Sequence, residues 1–417
     1  MEVQFFSQFK WIRWSLFNLS VVALLGIALR YKINFSFPMV DQKYLLHGHS
    51  HFAFTGWVTL ALMTLMIKYL DKQHVNTDFR KYNWLLAATN VVAYGMLFTF
   101  IYQGYAFLSI TFSTLSILIS YLFIYCYWRD LNKIKVEPST VMWFKAALIQ
   151  WFISSIGVFT LAYLMASGNI VQEWYFASIY FFLHFQYNGW FLFACFGLFF
   201  SLLPASSMPK SLAINKKLFF ILLITVIPTY LLSILWLNIP DYLYWIGVVS
   251  GIVQLAAIFY LIKLYQLAKQ HLLVPLAAST TYLFILVWLS FVLKLVLQTL
   301  SIVPYLGKYA FSFRPIVVGY LHLCFLCIIS FFIIGFFNQV LEKHGRKLSL
   351  TGISLFIFGV LLQEIVLMVQ GLAAFQVHIL PHAGIFLFGV AILIGISLVL
   401  INLSLRHKKS TGGEPVD

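Results

Sequence analysis

Charged side chains are scarce in this sequence: they make up 9% of its 417 residues, against roughly a quarter in a soluble domain. With 62% of the residues hydrophobic and a mean hydropathy of +0.92, a soluble globular protein is excluded and an integral membrane protein is expected. Acidic groups are fewest, 12 against 27 Lys and Arg, which leaves a net charge of +15. No single patch gathers that charge. The basic residues recur in short clusters between apolar runs, which is a topology signal and gives no reason to expect a nucleic-acid partner. The four cysteines, Cys126, Cys195, Cys324 and Cys327, all lie in or at the ends of apolar runs, so they are silent on redox compartment and read as small core residues. No small-residue cleavage site follows the first apolar run, which is therefore expected to stay as a span. Nor does any polar stretch leave room for a soluble domain.

What is present is a series of apolar runs, each near the ~20 residues that a spanning helix needs. Twelve are read, near 11–30, 44–69, 83–102, 106–128, 141–166, 174–203, 216–237, 241–266, 274–300, 315–338, 349–373 and 382–405. The expected fold is an all-α integral membrane bundle of twelve transmembrane helices, one domain over 1–405 with a polar cytoplasmic tail at 406–417. Lys and Arg alternate by side at every loop. Arg30, Lys32, Lys43, Lys308 and Arg314 fall on one side, Lys294 lies inside a span, and the remaining basic residues fall on the other. The basic side is the cytoplasmic one, so both termini are expected there.

With sides assigned, seven of the 11 histidines belong to spans that start on the outer side. His47, His49 and His51 open span 2 in the stretch YLLHGHSHFAFTGWV; His184 lies in span 6, His322 in span 10, and His378 and His382 lead into span 12. Ionisable or metal-ligating groups in a bilayer are costly and usually point into the bundle toward a partner. Neutral imidazoles at similar depth on two helices suit a planar iron macrocycle clamped from both faces. The residues alone thus point to a low-spin, bis-histidine haem, with one ligand from span 2 and His322 as the other. On a helix His47 and His51 share a face, and His49 lies about 200° round from His47. Only one of those faces can meet a given haem.

Here the chain resembles the catalytic subunit of the haem-copper oxidase superfamily, most closely the large subunit of nitric oxide reductase. HSHFAFTGW, His49 to Trp57, is similar to the low-spin haem motif with a histidine seven residues before a glycine, and GYLHLCF, Gly319 to Phe325, places His322 on the second ligand. LHFQYNGWF resembles the span that carries a non-haem metal ligand, which falls on His184; WLNIPDYLYWIG resembles the connection after span 7, and QEIVLMVQGLAAF a part of span 11. The resemblance implies haem b on His49 and His322, a non-haem iron or copper near His184, and an oxidoreductase of respiratory electron transfer or nitric oxide and oxygen chemistry. It also implies a cytochrome c, cupredoxin or quinol electron donor, a small membrane-anchored partner subunit, and the inner membrane of a bacterium. Several family positions depart. The histidine pair before the connection falls on Leu232 and Ser233, the high-spin haem ligand on Tyr320, and two span-6 glutamates on Asn188 and Leu192. FQVHILPHAG carries none of the basic residues that pair with haem propionates. The binuclear site therefore cannot form as the family builds it.

Blander readings stand beside these. His47 and His51 suit supporting bonds to a propionate or to a ligand imidazole. His184 reads as a remnant metal ligand, together with His378 or His382, or as a satisfied core histidine beside Gln186 and Asn188. The pair His378 and His382 is an i, i+4 copper or zinc chelate or an ordinary interfacial pair, and Tyr320 a phenolate ligand or a packing residue. Glu364, after Gln363, is a proton carrier or the partner of Lys294. Cys324 and Cys327 read as packing residues. Two other functions compete: a non-catalytic haem sensor or assembly factor comparable to the NnrS-type proteins of nitrosative stress, and a haem-free transporter. Against the transporter stand the lack of an internal repeat and of a clear Gly/Pro-broken helix pair, although Pro228 marks one candidate kink.

Overall fold

The structure is a computed structural model that describes residues 8–135, 138–168, 171–203, 209–271, 276–376, 378 and 380–405. The polar tail expected at 406–417 lies outside them. The described residues form helices α1 (Gln8–Asn34), α2 (Gln42–Lys72), α3 (Phe79–Gln103), α4 (Phe107–Leu131), α5 (Pro138–Ala166), α6 (172–200), α7 (Pro209–Val226), α8 (Asp241–His271), α9 (Ala278–Leu300), α10 (Pro304–Ser312), α11 (Arg314–Glu342), α12 (Leu350–Phe375) and α13 (Ala383–Ser404), and no strand. Only helices satisfy every backbone group within one apolar segment, as hydrocarbon requires.

Ten of these helices are long and apolar enough to cross a membrane. An eleventh candidate is α7 with the 3-10 segment Pro228–Ile234, bent by 48°. Pro228 has no N–H to continue the α7 ladder and clashes with the preceding turn, which is the physical cause of the bend. One broken helix is thus present where no clear one was expected. α6 is as long as the other long helices, but His184, Gln186 and Asn188 keep it less apolar. Short α10, which the hydropathy pattern did not announce, runs between α9 and α11.

α2 is the axis of the bundle. Some 72% of its most apolar window is buried inside the protein, whereas α4 buries 17% and presents the rest outward. Three helices, α2, α6 and α11, contain π-helical segments, at Ala53–Thr59, Phe185–Phe191 and Leu323–Ser330. A π segment inserts an extra residue, widens the helix and leaves backbone groups to be satisfied from outside. In α2 the carbonyl of Gly56 accepts from Asn18 Nδ2 of α1 at 2.6 Å, and the same amide donates to Asn90 Oδ1 of α3 at 2.8 Å. Tyr94 Oη donates to Asn18 Oδ1 at 2.9 Å, closing a network over three helices. Trp57 Nε1 donates to Ser330 Oγ at 2.9 Å, which ties the π segment of α2 to that of α11. Where α3 begins and α4 ends, buried Asp130 accepts from Lys81 (2.6 Å), Lys133 (2.7 Å), Thr77 (2.6 Å) and Tyr82 (2.7 Å), pinning α4 to α3.

Candidate functional site

The three π segments fall in the helices that carry His49, His184 and His322. Those of α6 and α11 begin directly after His184 and His322, and that of α2 begins four residues after His49. Such segments recur at functional sites because the widened turn re-aims side chains. A one-residue insertion cannot be read from hydropathy.

His49 and His322 are brought to similar depth. His49 follows seven residues after the start of α2 and His322 eight after the start of α11, so each lies about 10–12 Å below its helix end. Both side chains are half-buried, and each ring lies within electrostatic reach of the other. The two helices meet below them through an aromatic floor, where Phe54 packs on Phe325 (ring centroids 4.6 Å apart) and both contact Phe191. Two glycines lie close to the rings. A Cβ on Gly26 of α1 would meet only His49 Cε1, at 3.6 Å, and one on Gly319 would meet Leu367 Cβ at 3.5 Å. By contrast, a Cβ on Gly157, Gly189 or Gly352 would clash within 3 Å of a neighbour. Gly26 and Gly319 are therefore not small because protein crowds them.

Hydrogen bonding orients the rings. Gln363 Nε2 lies 3.0 Å from His322 Nδ1, and Glu364 Oε1 lies 3.9 Å from that same nitrogen. The amide donates to Nδ1 and also faces the Glu364 carboxylate. An Nδ1 that accepts leaves the ring proton on Nε2, and ligation through Nε2 would require the amide to turn and accept from Nδ1–H, the usual supporting arrangement for a metal-bound imidazole. His49 Nδ1 is buried without a hydrogen-bond partner, as is Glu364 Oε1.

His47 and His51 share the other face of α2. His51 stacks on Phe100 of α3 at 4.2 Å and its Nε2 lies 3.0 Å from Tyr105 Oη, while His47 packs edge-on to Tyr105 at 4.7 Å. Burial pushes the Tyr105 phenol up to about 12, so it keeps its proton at neutral pH. The structure does not bring this pair together with His322.

His184 is fully buried and engaged on both nitrogens. Nε2 donates to the Val226 carbonyl at 2.7 Å, a group set at the α7 break. Nδ1 must then accept, from Asn188 Nδ2 at 3.1 Å and Ser233 Oγ at 3.4 Å. No lone pair is left for a metal in this arrangement. His378 and His382 are exposed and do not lie on one helical turn: His378 is in irregular backbone, and His382 caps α13 with φ = 60°. Tyr320 packs edge-on to Tyr187 at 6.3 Å. Cys324 and Cys327 are buried and unbridged. Among the described residues no group of three or more His, Cys, Asp or Glu is arranged to hold a metal ion.

Glu364 and Lys294 do not pair. Lys294, 2% exposed in α9, donates to Gln298 Oε1 at 2.6 Å; Gln298 continues to Gln254 of α8 at 2.9 Å, and Gln254 to Thr225 of α7 at 3.2 Å. Glu364 stands instead with His322 and within electrostatic reach of Arg30. The sequence reading used Arg30 only as a loop charge and overlooked Gly26 and Gly319. Its available signal was that Arg30 is a basic residue on the sparsely charged side.

These features define a multi-pass helical membrane protein in which His49 and His322 lie within electrostatic reach of each other. No family model matches this sequence, and no curated protein matches it either.

Proposed function

We propose that this chain is a twelve-span haem protein, with one b-type haem held between His49 and His322 near the outer face and used for one-electron transfer. The count of twelve includes α6 and takes bent α7 with Pro228–Ile234 as one crossing. The observation that carries the reading is the approach of two imidazoles at matching depth, with Gly26 and Gly319 beside them at ordinary contact distance and not crowded by protein. His49 and His322 would hold the haem, which when bound would supply one-electron iron(II)/iron(III) chemistry. The chain does the rest. Gln363 orients the His322 ring, the Phe54–Phe325 floor keeps water out, and α1 and α12 close the sides. The resemblance of HSHFAFTGW and GYLHLCF to the low-spin haem motifs of the haem-copper oxidases supports this assignment.

The engagement of both His184 nitrogens favours electron transfer over a reductase with a non-haem metal. The charge asymmetry of the loops supports cytoplasmic termini in a bacterial inner membrane, with the electron donor on the outer side. The test is the reduced-minus-oxidised optical spectrum of protein purified in detergent. A low-spin haem signal that disappears in both His49→Ala and His322→Ala supports the assignment. A signal that survives either change removes that ligand.

A further inference from the structure

Helices α2 to α6 enclose a cavity of about 60 Å³ whose wall is set with hydroxyl groups. Roughly 10–15 Å³ suffices for one water, so several fit. Thr55 and Thr59 line it from the π segment of α2, 13 and 17 residues into that 31-residue helix and therefore near mid-span. Thr59 is 6% exposed, which shuts its side chain off from lipid and bulk solvent alike. Neither hydroxyl makes a hydrogen bond with any described residue. Threonines elsewhere in the helices, Thr64 and Thr99 among them, return their proton to the carbonyl four residues back. Thr55 and Thr59 still have theirs to give.

The other hydroxyls of the wall do not. Thr89 donates to the Leu85 carbonyl at 2.8 Å, Ser116, Ser120 and Ser155 donate to those of Ser113, Ile117 and Phe152 at 2.7 Å, and Ser154 to that of Trp151 at 2.6 Å. What they turn to the cavity are acceptor lone pairs. Ser154 and Ser155 each receive one proton, from Gln186 Nε2 at 2.9 Å and Tyr121 Oη at 2.6 Å. Thr89, Ser116 and Ser120 receive none from the described residues. An occupant must therefore give protons to these oxygens and accept them from Thr55 and Thr59. A metal cation cannot accept, and among the described residues no charged side chain lines the cavity to compensate it. An apolar molecule does neither. Water does both.

We infer that this cavity is a hydration site, in which a cluster of ordered waters donates to Thr89, Ser116 and Ser120 and accepts from Thr55 and Thr59. The cluster bridges α2 to α3 and α4 and removes the cost of leaving two threonine hydroxyls unpaired at mid-span. The inference stands apart from the haem reading, since none of these side chains belongs to the pair His49 and His322.

The experiment uses the full-length protein in lipid nanodiscs, with threonine methyl groups labelled and magnetisation transfer from water read by proton-detected solid-state NMR. In the wild type the Thr59 methyl is expected to receive magnetisation from water, and the equally buried Thr64 methyl, one turn on, to receive none. Thr59→Val exchanges the hydroxyl for a methyl of the same shape. Around a hydrated cavity it deletes a hydrogen bond and should lower the melting temperature by about 1–3 °C, whereas around a dry one it removes an unpaired hydroxyl and should raise it. Thr59→Ser keeps the hydroxyl and should keep the water signal at the Thr89 methyl. A Thr59 methyl as silent toward water as that of Thr64, or a Thr59→Val protein that melts at or above the wild type, overturns the inference. A melting temperature that rises with Na⁺ or K⁺ over choline at equal ionic strength, and loses that rise in Thr59→Val, assigns the cavity to a cation and overturns it as well.

Discussion

Gly26→Leu separates a glycine kept for a ligand from one kept for packing. The nearest atom to a Cβ at this position is His49 Cε1, at 3.6 Å, an ordinary contact, so the first carbon costs nothing. Replacing glycine inside a helix with a straight-chain former gains about 0.8 kcal/mol in helix propensity. The branch beyond Cβ then extends toward the edge of the His49 imidazole, into the space assigned to the macrocycle. The apoprotein should thus be stabilised by about 0.5–1 kcal/mol while haem binding falls by tenfold or more, each tenfold being about 1.4 kcal/mol. Gly157→Ala is the opposite case. Its Cβ would lie 2.6 Å from the Ser178 carbonyl and 2.8 Å from the Phe182 nitrogen, backbone atoms that cannot swing aside. Overpacking costs about 1–3 kcal/mol, so this variant should lose stability and leave the affinity of the folded fraction unchanged. The assays are apoprotein melting in a mixed micelle and haemin titration followed by the low-spin absorption band. Unchanged haem affinity in Gly26→Leu would refute the reasoning, since the space would then have no connection with the ligand.

Three more outcomes follow from the contacts. His184→Leu leaves the Val226 carbonyl with only the longer bond from Thr229 Oγ1 at 3.2 Å and removes the acceptor of Asn188 and Ser233; we expect a loss of about 2 kcal/mol with the haem spectrum and metal content unaltered, and a second metal lost with this side chain would contradict the structural role. Asn18→Ala opens the network of Gly56, Asn90 and Tyr94, at about 0.6 kcal/mol per bond in a membrane protein and about 2 kcal/mol in all; an unshifted melting curve would show that the π segment is held by other means. Tyr105, raised by burial to about 12, keeps its proton in the folded state after an exposed phenol has lost its own near 10. Its contribution to stability is therefore full below pH 10 and lost as pH rises through 12, and Tyr105→Phe should flatten the decline of stability in that window; equal slopes for the two proteins would place the phenol in water.

The sequence made the class of this protein plain, because hydropathy and charge alternation are properties of long segments and survive any detail of packing. Ten helices stand where apolar runs were read, with the Pro228 break as the local exception. α6 shows the weakness of that signal: Gln186 and Asn188 lower its hydropathy although both are buried in the bundle. At the site, the 200° separation of His49 from His47 was legible from helix period alone, and the structure does place the two on different faces. The hydrogen-bonded engagement of His184 was not legible, since it depends on a carbonyl 42 positions away at a helix break. Nor was the separation of Glu364 from Lys294, because two charged residues in neighbouring segments suggest a pair and only packing decides it. Likewise His378 and His382 have a helical spacing, but a left-handed residue at 382 ends the helix before it can bring them together.

The most direct measurement is the iron and haem content per polypeptide of protein purified from a haem-replete bacterial host, with the spin state read from the same sample by magnetic circular dichroism. The account predicts one low-spin, bis-imidazole haem per chain. A colourless, iron-free preparation that still melts cooperatively as a folded helical protein would contradict it.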